Sequence, residues 1–391
     1  MILGSGPAGA RASETIRRKD RQARVVVVSA DPHPFYNRIL LSKDFLKSDD
    51  IAPEQIVIKP AGLWEEQGIE LRSGERVIGL DADARLARLE SREVLRYERC
   101  LLATGATPLR LPVPGSSAPG VHTLRSLGDA IRLRQAARAA RRVVVVGGGL
   151  IGVEVAAAMT ERGLSCTVIE RQGWLFGQVA PEPVGRGLQR ILEEGGVEVV
   201  TGATVTGFRP QDGGLRVETL RTAAEARTGA EAWSCPGDLV VMGVGVRPET
   251  GFVENVERTA GGGIVVDERL EAAPGLWAAG DVAAYPNPRA GLRHRVEHWV
   301  HAQHQGRLAG ANMTGDGLTY GEITSYDTTI FGTTIQVFGV SALAEEWSVK
   351  GLDGAMAGIA WGSRGGRVVS AYRFGDTDVT LDDIKLRLTS S

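Results

Sequence analysis

The sequence predicts an α/β protein whose core consists of parallel β-sheets covered by helices. Two observations support this fold class. A pattern of strand, glycine-rich turn, helix, strand and acidic residue occurs twice, first from Ile2 and again from Val143. Both copies contain an uninterrupted run of valines, at residues 25–28 in the first and 143–146 in the second. Such runs are typical of parallel strands that are buried on both faces of a sheet.

The composition limits the function classes. A length of 391 residues with 43% hydrophobic and 24% charged residues indicates a globular protein of two or three domains. A net charge of -2 argues against a protein that coats nucleic acid or an anionic membrane. No apolar run reaches the ~18 residues of a membrane span, and no signal peptide is visible. We therefore expect a cytoplasmic protein that contacts neither nucleic acid nor membrane.

The first copy of the pattern starts at the beginning of the chain. A helical stretch runs to about Asp20, and the following valine strand ends near the acidic residue Asp31. The first strand would have only two or three residues, against a mean of about 5–6. We therefore expect a few residues to precede Met1 in the native protein. The turn residues are Gly4, Ser5, Gly6, Pro7, Ala8 and Gly9.

The second copy repeats this order. A helical stretch runs to Arg162, and the strand after it, at residues 167–169, ends at the acidic residue Glu170. Glu170 lies 18 residues after the last turn glycine, and Asp31 lies 22 residues after its own. The turn residues are Gly147, Gly148, Gly149, Leu150, Ile151 and Gly152.

The glycines indicate dinucleotide binding. The first allows a tight turn, the second lets the backbone approach a pyrophosphate, and the third lets helix and strand pack closely. The helix N-terminus then presents free N–H groups and a partial positive charge to the phosphates, and the acid accepts hydrogen bonds from a ribose. One such turn is a weak signal. Two copies, each with its strands, helix and acid, predict two dinucleotides.

Three further strands end in glycine and belong to the predicted cofactor sites. The strand at residues 101–102 leads into Ala103, Thr104 and Gly105, and a similar strand ends near Gly245. A third, at residues 276–279, ends in Gly280-Asp281 before a helical region. An Asp in that position can hold a ribityl hydroxyl, while the next helix can direct its N-terminus at a flavin ring. Alternatively, Asp281 could only cap a helix.

These motifs resemble one known family. The ordered segments GSGPAG, PFYNRILLSKDF, ATGATP, GGGLIGVE, GVGVRP, WAAGDVA and EHWVHAQHQGRLAGANMTG look like the FAD-dependent pyridine nucleotide oxidoreductases. Within these, the chain is most similar to the ferredoxin and rubredoxin reductases and to apoptosis-inducing-factor-like proteins. The resemblance covers about residues 1–318.

The resemblance implies two Rossmann-like domains and a small α+β C-terminal domain. The FAD-binding domain would comprise residues 1–112 and 243–318, interrupted by an NAD(P)H-binding domain at 113–242 and followed by a C-terminal domain at 319–391. That last domain should contain an antiparallel sheet with strands at residues 325–340, 356–361 and 368–374. Related oxygenase-type reductases carry a Phe-Trp pair at its start, where this chain has Tyr326-Asp327.

The resemblance also assigns roles to residues outside the glycine turns. Arg38 and Lys43 should lie along FAD, with Lys43 paired near the flavin with Glu154. His298 and Trp299 should begin the helix beside the isoalloxazine, where Trp299 would shield the ring. The expected catalytic residues are therefore Lys43, Glu154 and Trp299. The purely structural alternatives are that Lys43 is a solvated surface lysine, that Glu154 only stabilises a helix N-terminus, and that Trp299 is a core residue.

The cysteines indicate how electrons leave. Cys100, Cys166 and Cys235 form no CxxC or CxxxxC pair, and none lies near residues 37–42, where a single redox cysteine stands in some relatives. A zinc cage or disulfide framework is equally excluded, and core cysteines in a reducing compartment are the simple interpretation. Electrons should therefore pass directly from the flavin to an external acceptor.

The predicted reaction is hydride transfer from NADH to FAD, with electrons passed on to a ferredoxin or rubredoxin. Glu170 favours NADH because a carboxylate repels a 2′-phosphate, although the neighbouring Arg171 leaves NADPH as the alternative. Rival functions are an NADH oxidase, a nitrite-reductase-like flavoprotein, and an NADH-sensing binding protein similar to apoptosis-inducing factor. We expect a monomer or homodimer.

Two clusters invite other interpretations. His294, His298, His301 and His304 are spaced for one helix face, but no matching Cys or acid set accompanies them, so we expect flavin-edge or interface histidines and no metal. The arginines between Arg132 and Arg142 alternate with alanine, which favours a solvated helix. That helix could also dock an acidic electron-transfer partner.

Overall fold

The computed structural model describes residues 1–211, 213–221, 231–287, 291–352 and 357–389. The chain divides into two compact units. The first comprises Met1–Asn37, Glu54–Thr107 and Arg247–Thr324, and the second comprises Arg38–Pro53, Pro108–Val246 and the segment from Ser325 onward. The short strands Ala106–Pro108 and Val246–Pro248 and the 3-10 helix Pro53–Ile56 lie where the chain passes from one unit to the other.

The first unit is built around a six-stranded sheet. Four neighbouring pairs in it are parallel, and only the edge strand pairs in the antiparallel direction. Its strand order is Glu271–Ala273, Leu276–Ala278, Cys100–Leu102, Ile2–Leu3, Val25–Ser29 and Ile69–Ser73. Its helices are Pro7–Lys19, Ala61–Glu66 and Trp299–Asn312, with a 3-10 turn at Gly280–Val282.

Smaller sheets complete the first unit. The core cluster packs the fully buried side chains of the central strands, such as Ile2, Val27 and Leu101, against the helices. The smaller sheets consist of Val253–Glu254, Val77–Asp81, Leu86–Leu89 and Val94–Arg96; of Ile264–Val265, Ala283–Asn287 and Leu292–His294; and of Phe35–Tyr36 and Val57–Lys59.

The second unit contains a five-stranded sheet that is parallel throughout. Its strand order is Val121–Thr123, Leu239–Met242, Arg142–Val146, Ser165–Ile169 and Glu198–Val200. The helices Leu127–Ala137, Leu150–Glu161 and Glu182–Glu194 accompany it. A three-stranded antiparallel sheet follows, made of Ala203–Gln211, Gly214–Arg221 and Glu231–Gly237.

The second unit also holds the C-terminal sheet and the segment Arg38–Pro53. The segment folds into the 3-10 helix Arg38–Ser42 and the helix Asp44–Lys47. The C-terminal sheet is antiparallel throughout. Its order is Ser325–Ile330, Thr333–Gly339, Arg367–Phe374, Gly358–Arg364 and Glu346–Lys350. A 3-10 turn at Ser341–Leu343 lies between two of these strands in the chain, and the helix Leu381–Thr389 follows the last one.

The predicted α/β class with two parallel sheets and an antiparallel C-terminal sheet is confirmed. The strand expected at residues 325–340 is two strands, because Phe331 and Gly332 both adopt positive φ and turn the chain into a hairpin. The start of the strand expected at 356–361, Met356, lies outside the described residues. The division into domains at residues 112, 242 and 318 stays a prediction.

Candidate functional site

The first unit has a crevice where its strand order reverses. Ile2–Leu3 lies between Val25–Ser29, which follows it in the chain, and Cys100–Leu102, which comes much later. Ligands of doubly wound sheets bind at the carboxyl ends of such strands. Gly4 lies at this point with a φ of 108°, and a Cβ atom there would lie 2.2 Å from the carbonyl oxygen of Ala103. Only glycine fits, so the turn brings the backbones of two strand ends together.

The other two glycines of this turn, Gly6 and Gly9, have different functions. A Cβ atom on Gly9 would lie 1.9 Å from the carbonyl oxygen of Gly4, so this glycine serves helix–strand packing. A Cβ atom on Gly6 would meet no atom within 4 Å. Gly6 is also the N-cap of the helix Pro7–Lys19 and provides no side-chain hydrogen bond to it. The N–H groups of Ala8 and Gly9, which follow Pro7 in the first turn, therefore receive no side-chain cap from Gly6, as a pyrophosphate site requires.

The second unit repeats this geometry. Arg142–Val146 lies between Ser165–Ile169 and the later strand Leu239–Met242. A Cβ atom on Gly147 would lie 2.5 Å from the carbonyl oxygen of Gly243, and one on Gly152 would lie 1.9 Å from that of Gly147. Gly149, the N-cap of the helix Leu150–Glu161, is open and offers no side-chain cap. Gly243 was missed from sequence, although it stands in the same place after its strand as Ala103 does.

The two acidic residues at the strand ends are held by nearby groups. Asp31 accepts hydrogen bonds from the Tyr36 hydroxyl at 2.7 Å and from the His33 backbone at 3.1 Å. Glu170 accepts from the backbone N–H groups of Gly148 at 2.6 Å and Gln172 at 2.7 Å. A carboxylate offers about four acceptor positions. Both acids are therefore held in a fixed orientation at the strand ends.

Two helices of the first unit run parallel and direct their N-termini the same way. Cβ atoms on Gly306 and Gly310 would lie 2.2 and 2.7 Å from the carbonyl oxygens of Ala8 and Ala12, so the contacts advance by four residues along both helices. Helix Trp299–Asn312 begins six residues before the level of Pro7, which is about 9 Å at 1.5 Å per residue. Its N-terminus therefore projects past the phosphate turn, where the rest of a bound dinucleotide would continue.

Asp281 lies in a buried turn against these helices. Gly280 adopts a φ of 77° and donates its N–H to the Gln305 side chain at 2.8 Å. Arg295 donates to the carbonyl oxygen of Asp281 at 2.7 Å and forms an ion pair with Glu297 at 2.6 Å. Asp281 itself is buried. Gln305 and Arg295 fix the backbone around Asp281, and neither residue was predicted from the sequence.

Trp299 and His298 stand at the start of the helix. The Trp299 ring stacks on Phe35 with centroids 5.5 Å apart and an interplanar angle of 7°. His298 is the N-cap and accepts the Val300 N–H at 3.3 Å. Trp299 is partly buried against the core. The roles predicted for both residues at a flavin ring stay predictions, but stacking on Phe35 shows how the Trp299 ring plane is fixed.

The Ala103-Thr104-Gly105 turn pairs with the chain near Glu249. The Thr104 hydroxyl donates to the carbonyl oxygen of Glu249 at 2.6 Å, and the Glu249 N–H donates to that of Gly105 at 2.9 Å. In the second unit, Gly245 adopts a φ of 106° and accepts a hydrogen bond from the Leu109 N–H at 2.9 Å. These contacts hold the two strand-end turns in shape.

The second unit contains a buried polar cluster centred on Glu154, which lies in the first turns of the helix Leu150–Glu161. Glu154 is 6% exposed, and its carboxylate lies 3.3 Å from the Lys43 ammonium. The Ser42 hydroxyl donates to Oε2 at 2.5 Å, and the Thr328 hydroxyl donates to Oε1 at 2.7 Å. Lys43 and Glu154 were predicted from the sequence, whereas the two hydroxyl donors were not.

Three arginines fasten the segment that carries Lys43. Arg134 lies over the Phe45 ring at 3.9 Å and donates to the carbonyl oxygen of Ile51 at 2.6 Å. Arg162 and Arg138 bind the Asp49 carboxylate at 2.8 and 3.0 Å. The expected solvated arginine helix is therefore wrong at Arg134, which is buried because it packs on an aromatic ring that is distant in sequence. Arg38 is half-buried at the start of this segment.

The four clustered histidines do not share one environment. The Tyr320 hydroxyl lies 3.0 Å from Nδ1 of the buried His301, and the Tyr285 hydroxyl lies 2.9 Å from Nε2 of His294. Burial lowers the pKa of His294 to about 4 and holds that of His301 well below its usual value. The expectation of flavin-edge or interface histidines is wrong for His301, which is a core residue. Within the described residues, no group of three or more His, Cys, Asp or Glu side chains could hold a metal ion.

These features fit the predicted dinucleotides. Each unit presents an open glycine at an uncapped helix N-terminus, a buried close-packed glycine behind it, and an oriented acid at the neighbouring strand end. The open helix N-termini suit a pyrophosphate, and the neighbouring acids suit a ribose. None of the described helices is both long and apolar enough to cross a lipid bilayer.

Known proteins share this sequence and architecture. The model of the pyridine nucleotide-disulphide oxidoreductase family matches residues 1–306. The ferredoxin–NAD(+) reductase component of 3-phenylpropionate/cinnamic acid dioxygenase from Photorhabdus laumondii is 32% identical over 90% of this chain and 86% of its own length. Apoptosis-inducing factor 3 of Homo sapiens is 30% identical over 95% of this chain, which spans 60% of that protein. A ferredoxin reductase structure from Rhodopseudomonas palustris matches with a TM-score of 0.86 and 28% identity, covering 95% of this chain and 90% of that one.

Proposed function

The chain belongs to the pyridine nucleotide-disulphide oxidoreductase family, and from this premise we propose that it is a reductase that passes electrons from NADH through FAD to a ferredoxin-type protein. It is an FAD-dependent oxidoreductase of NADH. One observation carries the proposal: the same pyrophosphate geometry, an open second glycine and a close-packed third glycine, occurs once in each unit. Two such sites suit an enzyme that brings a bound cofactor and a nicotinamide substrate into one reaction.

We assign FAD to the first unit. Gly4, Gly6 and Gly9 would accommodate its pyrophosphate with Pro7 and Ala8, and Asp31 would accept hydrogen bonds from its ribose. The predicted contacts of Ala103, Thr104, Gly105, Gly280 and Asp281 belong to the same unit. The helix beginning at Trp299 projects beyond the phosphate turn and directs its positive end along the direction of the cofactor. When bound, FAD accepts the hydride of NADH and releases electrons to an acceptor.

We assign NADH to the second unit. Gly147, Gly149 and Gly152 would accommodate the pyrophosphate, with Ile151 beside it, exposed at 37%. The Glu170 carboxylate is fixed by two backbone N–H groups beside this turn. A carboxylate there binds a free 2′-hydroxyl and repels a 2′-phosphate. NADH is therefore the proposed coenzyme, with NADPH used less well.

We propose that Lys43 and Glu154 act on the nicotinamide side. Glu154 lies five residues after Gly149, about 7.5 Å along the helix axis from the pyrophosphate turn at 1.5 Å per residue. Three donors occupy Glu154, and a carboxylate has about four acceptor positions. One acceptor position therefore remains for an N–H group such as that of a carboxamide. Trp299 and Arg38 keep their predicted cofactor contacts as part of this proposal.

The acceptor is proposed to be external and of the ferredoxin type. All three cysteines are free and buried, and burial raises the pKa of Cys166 and Cys235 to about 11 and that of Cys100 to about 12. These thiols are therefore unsuited to relay electrons. Relatives at 32% identity are named ferredoxin–NAD(+) reductase components of dioxygenase systems. Three free cysteines also favour the reducing cytoplasm as its location, and we propose that it works there as a monomer or homodimer.

Anaerobic titration followed by a coupled assay tests the proposal. The purified protein should show flavin absorbance, and one equivalent of NADH should bleach it. Cytochrome c should then be reduced rapidly only when a [2Fe–2S] ferredoxin from an oxygenase system is added. Fast NADH consumption in air without ferredoxin would instead indicate an oxidase, and slow turnover with an NADH-dependent change in size-exclusion volume would indicate a sensor. A colourless protein that cannot be reconstituted with FAD would overturn the proposal.

A further inference from the structure

The first strand of the C-terminal sheet brings a hydroxyl to Glu154. Along Ser325–Ile330, Thr328 and Ile330 are buried while Asp327 and Thr329 are exposed, as the two-residue period of a strand requires. The Thr328 hydroxyl is thereby directed inward and donates to Glu154 Oε1 at 2.7 Å. The neighbouring Thr329 hydroxyl points to the other face and lies 3.2 Å from that of Thr334. Two adjacent threonines therefore have opposite surroundings in the same strand.

A second hydroxyl, that of Ser42, binds the other carboxylate oxygen of Glu154. Ser42 ends the 3-10 helix Arg38–Ser42 and donates to Glu154 Oε2 at 2.5 Å. Lys43, the next residue, approaches Oε1 at 3.3 Å. Each carboxylate oxygen thus has its own hydroxyl donor. A carboxylate held at both oxygens cannot rotate about its terminal bond without breaking a charge-assisted hydrogen bond.

The surroundings of Glu154 make these hydroxyls necessary. A carboxylate that is 6% exposed has lost most of its hydration, and a buried charge is tolerated only when it is paired and hydrogen-bonded. Lys43 at 3.3 Å supplies one partner. The nearby Tyr326 adds no competing charge, because burial together with the charges of Tyr372 and Glu154 raises the pKa of its hydroxyl. The two hydroxyls are thus the neutral donors that fix the orientation of the carboxylate.

We propose that Thr328 and Ser42 are positioning residues, which orient the Glu154 carboxylate so that its remaining acceptor position serves the nicotinamide. The C-terminal sheet would then influence NADH binding and hydride transfer through a single hydroxyl. This inference rests on the proposed function, in which Glu154 acts on the nicotinamide side. It adds a role for the C-terminal sheet, whose first strand is Ser325–Ile330.

Rapid mixing of the FAD-loaded enzyme with NADH under anaerobic conditions tests the inference. The dependence of the bleaching rate on NADH concentration separates the NADH dissociation constant from the limiting rate. Thr328→Val keeps the side-chain shape and removes the hydroxyl, and it should change one of these quantities by about tenfold, the size expected for a hydrogen bond to a charged group. Thr329→Val is the matched control and should stay near wild type. Thr328→Ser should restore wild-type behaviour.

A double-mutant cycle distinguishes positioning from a general structural effect. If Thr328 acts only through Glu154, Thr328→Val should have no further effect on an enzyme that already carries Glu154→Ala. A purely structural role would lower the limiting rate in both backgrounds and would appear as a lower unfolding midpoint. Ser42→Ala provides an independent variant with the same expected pattern, should Thr328→Val fail to fold.

The outcomes separate this inference from the proposed function. If Glu154→Ala slows bleaching while Thr328→Val and Ser42→Ala match wild type, the inference is overturned and the role of Glu154 stands. If Glu154→Ala also matches wild type, both the positioning role and the assignment of Glu154 are overturned, while NADH oxidation by FAD remains. If NADH does not bleach the flavin of the wild-type enzyme, the proposed function itself is wrong.

Discussion

A Cβ atom on Gly152 would lie 1.9 Å from the carbonyl oxygen of Gly147, closer than any real Cβ contact. Three residues earlier, Gly149 has no atom within 4 Å of the corresponding position. Two glycines of one turn thus serve different ends, since one lets the helix approach the strand and the other leaves room for a ligand. Their substitution should separate folding from coenzyme binding.

Gly152→Ala should destabilise the protein, because the obstacle is a backbone oxygen that cannot move aside, and overpacking typically costs about 1–3 kcal/mol or more. Gly149→Ala should fold normally, since its φ of -83° suits alanine, but should raise the KM for NADH severalfold. Thermal unfolding and steady-state kinetics measure the two effects. An unchanged KM in Gly149→Ala would show that the pyrophosphate does not approach this turn.

Glu170→Ala should reduce the preference for NADH over NADPH. The carboxylate stands beside the glycine turn and is held by the Gly148 and Gln172 N–H groups, where it would repel a 2′-phosphate. The comparison of kcat/KM for the two coenzymes measures the change, and Arg171→Ala is the control for the adjacent exposed side chain. An equal loss of kcat/KM with both coenzymes would show that Glu170 only maintains the structure of the loop.

Asp281→Ala should yield protein largely free of FAD. Asp281 is buried in a turn that Gln305 and Arg295 hold by their contacts to its backbone, so the turn should survive loss of the carboxylate. The ratio of flavin to protein absorbance after purification measures retention, and exposed Asp83→Ala is the control. A fully yellow Asp281→Ala protein would contradict the predicted ribityl contact.

Local patterns predicted the two nucleotide folds, because glycine turns, valine strands and terminal acids all lie within about 30 residues. Contacts between distant segments were not predictable in this way. Thr328 is 174 positions from Glu154, and a hydroxyl in a strand carries no signal of its partner. Arg134 alternates with alanine like its exposed neighbours, and only its contact with Phe45 buries it. Helical spacing of the histidines likewise could not indicate that His301 faces the core.

The native enzyme should resist thiol reagents. Burial raises the pKa of Cys100 to about 12 and that of Cys166 and Cys235 to about 11, so little thiolate forms at neutral pH. Incubation with an alkylating reagent should leave NADH-dependent ferredoxin reduction unchanged, and mass spectrometry should find no modified cysteine. The same treatment in denaturant should modify all three. Rapid loss of activity with labelling of one native cysteine would contradict the absence of a thiol relay.

The stability of the protein should fall as the pH falls below about 6.5. Burial lowers the pKa of His294 to about 4 in the folded protein, whereas the unfolded chain binds this proton near its ordinary pKa of 6.5. The unfolded state therefore holds more protons between these values, and the free energy of unfolding decreases by up to about 1.4 kcal/mol per pH unit for each such group. His301, whose pKa is lowered in the same direction by burial and by the other histidines, adds to this loss.

Denaturant unfolding at pH 7, 6 and 5 measures the slope, which His294→Gln should reduce because glutamine does not titrate. A stability that stays constant from pH 7 to 5 would show that folding does not lower the pKa of these histidines.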